Sequence, residues 1–383
     1  MPTIDRRALL AAGLGLFAAG TATAAPSPTL KQAAASKGRR FGSAFAFGTR
    51  GADAGTFANP DYAALLRREC AVLVPENEMK WQAIRPAADR FDFARFDAMV
   101  AWAHVNGFAI RGHTLFWAYS RWFPEWLTTH DFGHRPAIAA AAILTDHIDT
   151  VTARYGQRID SYDVVNEAVD PDTGQLRQTA LSHAMGGTEP VLDHAFRTAR
   201  AAAPHAELVY NDYMSWEDRN QHHRAGVLTL LEGFRKRGVP VDTLGVQSHI
   251  GLFAPTTDAG ALARRLEPGW REFLDAVVAM GYRLLVTELD VRDKGLPVAI
   301  GPRDRGVADF ARAYLDIMLS YPALGDVIAW GMSDRYSWLR TFEPRPDGAP
   351  ARGCAYDNAF RPKPLRSAML GALTNAASRR RPR

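Results

Sequence analysis

Short apolar runs alternate with longer amphipathic stretches from about residue 40 onward, and the alternation repeats about eight times. Strands buried on both faces of a sheet read as nearly continuous apolar runs, whereas covering helices are longer and amphipathic. Repeated strand and helix signals, without an all-β or all-α block, predict a parallel sheet covered by helices. The predicted strands are residues 41–48, 71–75, 109–113, 161–166, 208–211, 244–249, 284–288 and 327–330.

The stretches between these strands are predicted to be helical, and Gly238 and Gly281 mark the ends of two of them. The main predicted helices are residues 137–153, 190–203, 219–237, 270–280 and 304–319. The most economical α/β architecture for this order is a single closed (β/α)8 TIM barrel. We therefore expect a loose segment over residues 26–40, one barrel domain over residues 41–374, and a basic tail over residues 375–383.

The first 25 residues contain the three parts of an export signal. Arg6 and Arg7 form a basic start, and the apolar run over residues 9–19 is too short to span a bilayer. A small-x-small cleavage site follows at residues 22–24, and the paired arginines favour the twin-arginine route. We expect an exported protein, periplasmic or secreted, with no membrane association after cleavage. The alternative is an amino-terminal anchor that is never cleaved.

The charge of the chain does not indicate nucleic-acid binding. Its 46 Lys and Arg residues exceed its 41 Asp and Glu residues by five, and removing residues 1–25 leaves 44 minus 40, or four. Arg379, Arg380, Arg381 and Arg383 account for that excess. The barrel itself is near neutral, and the basic residues form a tail instead of a patch with interleaved aromatic rings.

The two cysteines, Cys70 and Cys354, lack the spacing of a metal site. We expect neither a metal nor another cofactor, since the chain also lacks a glycine-rich phosphate loop where the strands end. In an exported protein the two cysteines could form one disulfide. Both also lie beside apolar stretches, so two buried free thiols are the other possibility.

Polar and aromatic residues follow the predicted strands, which is where a barrel places its functional groups. Glu167 follows the fourth strand and Glu288 ends the seventh. Hydrolysis of a glycosidic bond needs such a pair, because one carboxyl protonates the leaving oxygen and the other serves the oxocarbenium-like centre. Tryptophans at several strand ends suit sugars, since flat rings match the apolar faces of pyranoses. From these residues alone, retaining and inverting glycosidases both remain open.

The chain resembles glycoside hydrolase family 10, the retaining xylanases, from about residue 41 to residue 370. The resemblance implies an endo-β-1,4-xylanase that acts on xylan or xylo-oligosaccharides through two glutamates, and we expect a monomer by default. Another retaining β-glycanase, such as a cellulase, and a catalytically silent sugar-binding barrel are the alternatives. The matching motifs are Pro-Glu-Asn-Glu-Met-Lys-Trp at 75–81, Gly-His-Thr-Leu-Phe-Trp at 112–117, Asp-Val-Val-Asn-Glu-Ala at 163–168, Tyr-Asn-Asp-Tyr at 210–213, Gln-Ser-His-Ile at 247–250, Thr-Glu-Leu-Asp at 287–290 and Trp-Gly-Met-Ser-Asp-Arg-Tyr-Ser-Trp at 330–338.

By that resemblance, Glu167 is the acid/base and Glu288 is the nucleophile. Retention requires their carboxyl groups to lie about 5–5.5 Å apart, with a raised pKa at Glu167 and an ionised Glu288 beside donors such as His249. Asp290 could orient His249, and a plain structural ion pair between the two is the alternative. Asn166 would hydrogen-bond the 2-hydroxyl of the attacked sugar. The resemblance also places Glu76, Asn77 and Lys80 at the next sugar on the non-reducing side, and His113, Trp117, Gln247, Trp330 and Trp338 around the glycone.

One motif departs from the family pattern. After Trp117 the family usually continues His-Ser-Gln, whereas this chain has Ala118, Tyr119 and Ser120. We expect catalysis to persist, because the missing residues supply neither acid, base nor nucleophile, but binding strength or tolerance of xylan side chains should differ. The remaining tryptophans are interpreted as packing residues, namely Trp81, Trp102, Trp122, Trp126, Trp216 and Trp270.

Overall fold

The computed structural model describes residues 28–48 and 56–379. Within that part of the chain, short strands and helices alternate along the whole sequence, as the apolar runs predict. The strands are β1 (Phe41–Phe45), β2 (Val72–Pro75), β3 (Ala109–Trp117), β4 (Ser161–Asn166), β5 (Glu207–Asp212), β6 (Thr243–Val246), β7 (His249–Gly251), β8 (Arg283–Arg292) and β9 (Leu324–Ala329).

Eight of these strands close into a parallel barrel, which confirms the predicted (β/α)8 fold. Each of β1 to β5 pairs with the next strand, β6 pairs with β8, and β9 pairs with both β8 and β1. Gly42 lies opposite both Val72 and Ile328 at the closure. A Cβ atom at Gly42 would lie 2.2 Å from the Val72 carbonyl oxygen, so only glycine fits between the two neighbouring strands.

The sixth barrel strand is interrupted, which the predicted single strand over residues 244–249 does not show. Ser248 has a φ of 64°, a left-handed conformation that ends β6 and lets the chain resume as β7, which pairs with the upper part of β8. The Ser248 hydroxyl donates to the Val246 carbonyl oxygen at 3.1 Å and lies 2.8 Å from the Tyr314 hydroxyl. These bonds hold the bend between Gln247 and His249.

Helices cover the outside of the barrel. The predicted helix over residues 270–280 is longer than expected, because the Asp258 carboxylate accepts from the Ala261 N–H at 2.8 Å and starts that helix earlier. The helices are α1 (Leu30–Ala35), α2 (Pro60–Glu69), α3 (Trp81–Ile84), α4 (Ala94–Val105), α5 (Glu125–Thr128), α6 (Pro136–Tyr155), α7 (Ala180–Ala184), α8 (Thr188–Ala202), α9 (Gln221–Lys236), α10 (Ala259–Ala279), α11 (Ile300–Leu319) and α12 (Pro364–Asn375).

The segment before the barrel is ordered from residue 28 onward, so the prediction of a loose segment over residues 26–40 is wrong there. Thr29 caps α1 through a capping box with Gln32. Leu30 is fully buried, and its N–H donates to the carboxylate of Glu69 at 2.8 Å. The capping box and this tertiary contact hold a helix that is too short to be stable alone.

The start of the predicted basic tail is also docked. Ala376 is buried, and the N–H of Arg379 donates to the Lys37 carbonyl oxygen at 2.9 Å. Residues 375–379 therefore lie against the body of the protein and are not a tail separate from it. Residues 380–383 and the predicted export signal at residues 1–25 lie outside the described residues.

Cys70 and Cys354 are buried free thiols, which decides between the two possibilities that the sequence left open. Burial raises the pKa of both thiols, because the charged thiolate is poorly solvated there. Among residues 28–48 and 56–379, helices that are both long and apolar enough to cross a bilayer do not occur.

Candidate active site

Glu167 lies immediately after β4, at the carboxyl end of the barrel, in a strained backbone conformation. Its φ of 57° is left-handed, which costs a non-glycine residue about 1–3 kcal/mol. The Glu167 N–H donates to the Asn211 carbonyl oxygen at 2.9 Å, and this bond ties the strained residue to the neighbouring strand β5. The fold thus fixes where the Glu167 carboxyl group points.

Two neutral donors hold the Glu167 carboxyl group. The Gln247 amide donates to Oε1 at 2.9 Å, and the Trp117 indole N–H donates to Oε2 at 2.9 Å. Burial raises the pKa of Glu167, the negative charges of Asp212 and Glu288 add to that rise, and the two hydrogen bonds oppose it. The net shift is upward, as expected for a group that must deliver a proton near neutral pH.

Glu288 lies within β8 and has the opposite electrostatic surroundings. The Asn211 amide donates to Oε1 at 2.8 Å, and the His249 ring nitrogen Nε2 lies 3.2 Å from Oε2. Burial alone would raise the pKa of Glu288, but the His249 hydrogen bond, the charges of His113 and His249, and the Asn211 amide lower it to about 2. Glu288 is therefore an anion under ordinary conditions.

His249 owes its charge to a further carboxylate. Its Nδ1 lies 2.9 Å from Oδ1 of Asp290, whose other oxygen accepts from the Trp338 indole N–H at 2.6 Å. Burial lowers the pKa of His249, yet the charge and hydrogen bond of Asp290, with those of Glu288, raise it to about 9. Asp290 therefore contacts His249 directly and keeps it cationic.

Asn211 connects the two glutamates, a role that the motif at residues 210–213 did not reveal. Besides donating to Glu288, its amide donates to Asn166 Oδ1 at 2.9 Å, and Gln247 donates to the same oxygen at 3.3 Å. The Asn166 Nδ2 group is buried without a protein partner among the described residues. It is a donor from which a sugar hydroxyl could accept a hydrogen bond.

The predicted residues of the more distant sugar lie beside this centre. Lys80 donates to Asn77 Oδ1 at 2.9 Å, and its Nζ lies 4.7 Å from the centre of the Trp117 ring. Burial raises the pKa of Glu76 to about 7, against the opposing charge of Lys80, and lowers the pKa of Lys80. Glu76 can thus act as a donor or an acceptor toward a hydroxyl.

A buried ion pair between Arg111 and Asp163 holds His113 in place. Its Nδ1 lies 2.9 Å from Asp163, which also accepts from Arg111 at 2.6 Å, and all three side chains are buried. The Trp330 ring packs edge-on against His113 with centroids 5.4 Å apart, and it also contacts His249. The structure therefore brings every predicted site residue into one connected cluster at the carboxyl end. Their individual roles, and the predicted carboxyl separation, remain predictions.

The segment after Trp117, which departs from the family pattern, has its own packing and hydrogen bonds. Ala118 is fully buried, and its N–H donates to the Asn166 carbonyl oxygen at 2.9 Å, so a histidine side chain at this position would collide with packed neighbours. The Ser120 hydroxyl donates to the Gln178 carbonyl oxygen at 3.2 Å. Trp122, interpreted from sequence as a packing residue, is only half-buried and stacks on Trp117.

The other tryptophans do pack as the sequence analysis expects. Trp81, Trp216 and Trp270 are buried in the core. Trp102 and Trp126 are partly buried and lie against that core. A group of three or more His, Cys, Asp or Glu side chains with the geometry to hold a metal ion is absent from the described ranges.

Comparison with known proteins places this arrangement in a family. Residues 29–372 match the family described as Glycosyl hydrolase family 10, which is nearly the whole barrel. The chain belongs to glycosyl hydrolase family 10. The match also covers α1, which agrees with the docked position of that helix.

Several proteins named as xylanases are similar to this chain. Endo-1,4-beta-xylanase B of Thermotoga neapolitana is 30% identical over 305 residues, which cover 79% of this chain and 80% of the relative. Endo-1,4-beta-xylanase 5 of Pyricularia oryzae is 32% identical over 340 residues, 87% of this chain and 76% of the relative. The solved structure of xylanase 10B from Thermotoga petrophila in complex with xylobiose is 28% identical, with a TM-score of 0.77, covering 91% of this chain and 98% of that one.

Proposed function

We propose that this protein is an endo-β-1,4-xylanase that hydrolyses internal bonds of xylan with retention of configuration. One observation carries the proposal. The structure holds two glutamates with opposite pKa shifts in one hydrogen-bonded network, raised at Glu167 and lowered at Glu288. Such a pair supplies the proton donor and the anion that glycoside hydrolysis needs, and family membership supports the double displacement.

In the first step, an oxygen of Glu288 attacks the anomeric carbon of the glycone sugar while Glu167 protonates the leaving oxygen. The bond to the leaving sugar breaks, and an ester between the glycone and Glu288 forms. In the second step, the Glu167 carboxylate takes a proton from water. The water oxygen attacks the same carbon, the Glu288 ester breaks, and both carboxyl groups return to their initial states.

The surrounding residues suit this chemistry. His249 and Asn211 keep Glu288 ionised before attack. The Asn166 Nδ2, which has no hydrogen-bond partner among the described residues, donates to a hydroxyl of the reacting sugar. The rings of Trp330 and Trp338 lie on the His249 side of the cluster. Such aromatic faces can bind the apolar faces of xylose rings. The names of the relatives favour xylan over cellulose as the polymer.

A panel of polysaccharides tests the substrate. Reducing sugar should be released from xylan and from xylo-oligosaccharides, and little from carboxymethylcellulose or mannan. Proton NMR of the first product should show the β anomer, as retention requires. Activity on cellulose without activity on xylan would overturn the proposal, and first release of the α anomer would overturn the retaining mechanism.

We also propose that residues 1–25 export the folded enzyme by the twin-arginine route and are then removed, and that the mature enzyme acts as a monomer on xylan. The paired Arg6 and Arg7 and the small residues at 22–24 support export. Amino-terminal sequencing of the protein recovered outside the cytoplasm checks the first part, since a start at Met1 would contradict cleavage. Sedimentation checks the second part.

A further inference from the structure

The segment after β3 places an unexpected aromatic ring beside the acid/base glutamate. Ala118 and Ser120 have small side chains, and the chain turns through a 3-10 helix, Ser120–Trp122, in which the Trp122 N–H donates to the Tyr119 carbonyl oxygen at 2.9 Å. The turn carries the Trp122 ring back over the end of β3. The ring that covers Trp117 therefore comes from Trp122.

The stack is close and nearly parallel. The Trp117 and Trp122 ring centroids lie 4.9 Å apart, with the planes at 16°. A cation lies near each ring: Lys80 Nζ is 4.7 Å from the Trp117 ring, and the Arg121 guanidinium carbon is 5.0 Å from the Trp122 ring. Aromatic stacking and cation–π contact are both attractive, and together they restrict the tilt of an indole ring.

The orientation of Trp117 matters because its indole N–H is one of the two donors on Glu167. A hydrogen bond weakens steeply when the donor is misdirected, so a tilted ring would lose the 2.9 Å contact with Oε2. That bond strengthens as Glu167 becomes a carboxylate. The carboxylate forms when the proton passes to the leaving sugar, so the bond stabilises the product of acid catalysis more than the reactant.

We propose that Trp122 is a positioning residue for acid/base catalysis, which holds the Trp117 indole so that its N–H remains directed at Glu167. The inference rests on the proposed function, since it takes Glu167 as the acid/base. Within the described part of the chain, the side-chain hydrogen bonds to the Glu167 carboxyl group come from Trp117 and Gln247 and not from Trp122. It acts through Trp117, and its removal should weaken protonation of the leaving group.

The other groups that face Glu167 come from elements other than the one that carries Trp122. Lys80 follows β2, Asp212 ends β5, Tyr213 follows β5, Gln247 follows β6 and Glu288 lies in β8. Tyr210 of β5 also faces it. Loss of the Trp117 hydrogen bond alone therefore raises the pKa of Glu167, since that bond favours the charged form.

Two aryl β-xylobiosides separate positioning from simple sugar binding. Phenol is a poor leaving group that needs protonation, whereas dinitrophenol leaves without it. We expect Trp122→Ala to lower kcat about tenfold on the phenyl substrate and to leave the dinitrophenyl rate within about twofold. The alkaline limb of kcat/KM should move to higher pH. Trp122→Phe should restore the rate on the phenyl substrate and the position of the alkaline limb. Trp117→Phe keeps a ring but removes the N–H, so it should reproduce the Trp122→Ala pattern.

Phe342→Ala is the matched control, because Phe342 packs on Trp338 with centroids 4.9 Å apart, the same distance as in the Trp117 stack. It should change KM without changing the leaving-group dependence. Equal losses on both substrates, or an unmoved pH limb, in Trp122→Ala would overturn the inference. If Trp122→Ala does not fold, Trp122→Leu is measured in its place. If the parent enzyme cleaves neither aryl xylobioside nor xylan, the proposed function itself fails.

Discussion

The amino and carboxyl ends of the barrel both contain charged groups but pair them differently. At the amino ends of the strands, carboxylates meet arginines. Arg40 lies 2.6 Å from Asp326 and 2.5 Å from Asp160. Arg200 pairs with Asp242 at 2.5 Å, and Arg283 pairs with Glu207 at 2.9 Å.

At the carboxyl ends, Glu167 meets an indole and an amide, and Glu288 meets an amide and a histidine. A guanidinium would fix a carboxylate in its charged form, because arginine does not give up its proton. The neutral donors on Glu167 leave that carboxyl group able to exchange a proton, whereas the cationic His249 keeps Glu288 charged. The pairing at the amino end therefore serves stability, whereas the partners at the carboxyl end give the two glutamates different protonation states.

The largest effect that the comparison predicts is at Glu288. Glu288→Ala should lower kcat on xylan by at least about 10⁴-fold, because no other group can form the glycosyl ester. Glu167→Ala should lose about 10²–10⁴-fold on xylan but still release dinitrophenol in a burst, since that leaving group needs no acid. The burst should then stall, because water attack lacks its base.

Stopped-flow release of dinitrophenol from its β-xylobioside distinguishes the two variants. Binding of xylotriose, measured by calorimetry, serves as the folding control for both, since neither change removes the aromatic rings. Steady turnover of xylan by Glu288→Ala would contradict the assignment of the nucleophile.

The next effect concerns pH. His249→Asn removes the cation and donor that hold the pKa of Glu288 at about 2. Since Glu288 must be ionised to attack, activity is lost as pH falls through its pKa, and raising that pKa moves the acidic limb of kcat/KM to higher pH. We expect this shift together with about a tenfold to hundredfold lower optimum.

Profiles of kcat/KM between about pH 3 and pH 9 measure this shift. Trp338→Phe is the control, because it removes a hydrogen bond to Asp290 while keeping His249 in place, and its acidic limb should move less. An acidic limb that stays where the parent has it would mean that another group keeps Glu288 ionised.

The barrel and its cluster could be predicted because they follow from local signals. Apolar runs of strand length fix where strands end, and in a parallel barrel all those ends meet at one face, so Glu167, Glu288 and Lys80 had to lie near one another. The role of Asn211 could not be found in this way. Its amide bridges two side chains from different strands, Asn166 of β4 and Glu288 of β8, and such a bridge depends on distances that spacing along the chain does not give.

Two other features could not be predicted from the sequence, for related reasons. The break at Ser248 depends on one residue with positive φ, and serine is not a residue type that signals such a conformation. The helix α1 is only six residues long, too short for periodicity to identify, and it depends on tertiary contacts such as the one between Leu30 and Glu69. Sequence patterns thus identify elements with strong local signals more readily than elements that depend on contacts with their neighbours.

At the amino end, the comparison predicts an effect on stability alone. Asp326→Asn should lower the free energy of unfolding by about 1–3 kcal/mol, because the Asp326 side chain is buried while Arg40 is partly screened by water. Thermal unfolding measures the loss. Asp316→Asn, in an exposed pair with Arg312 on α11, is the control and should scarcely change the midpoint.

The value of kcat/KM on xylan, measured well below the unfolding midpoint, should be the same for Asp326→Asn and the parent. A loss of kcat/KM in the folded variant would show that the two ends are coupled. The assignment of stability to the ion pairs at the amino end and of catalysis to the groups at the carboxyl end would then not hold.

The smallest effect concerns the docked helix at the amino end. Thr29→Ala removes the capping box of α1 and should cost about 1 kcal/mol, seen as faster hydrogen exchange in residues 30–35 and a slightly lower unfolding midpoint. Thr374→Ala, on the exposed side of α12, is the control, because its hydroxyl bonds only within its own helix. A segment that merely trails from the barrel would exchange as fast in the parent as in Thr29→Ala, so equal exchange would return α1 to the loose segment that the sequence suggested.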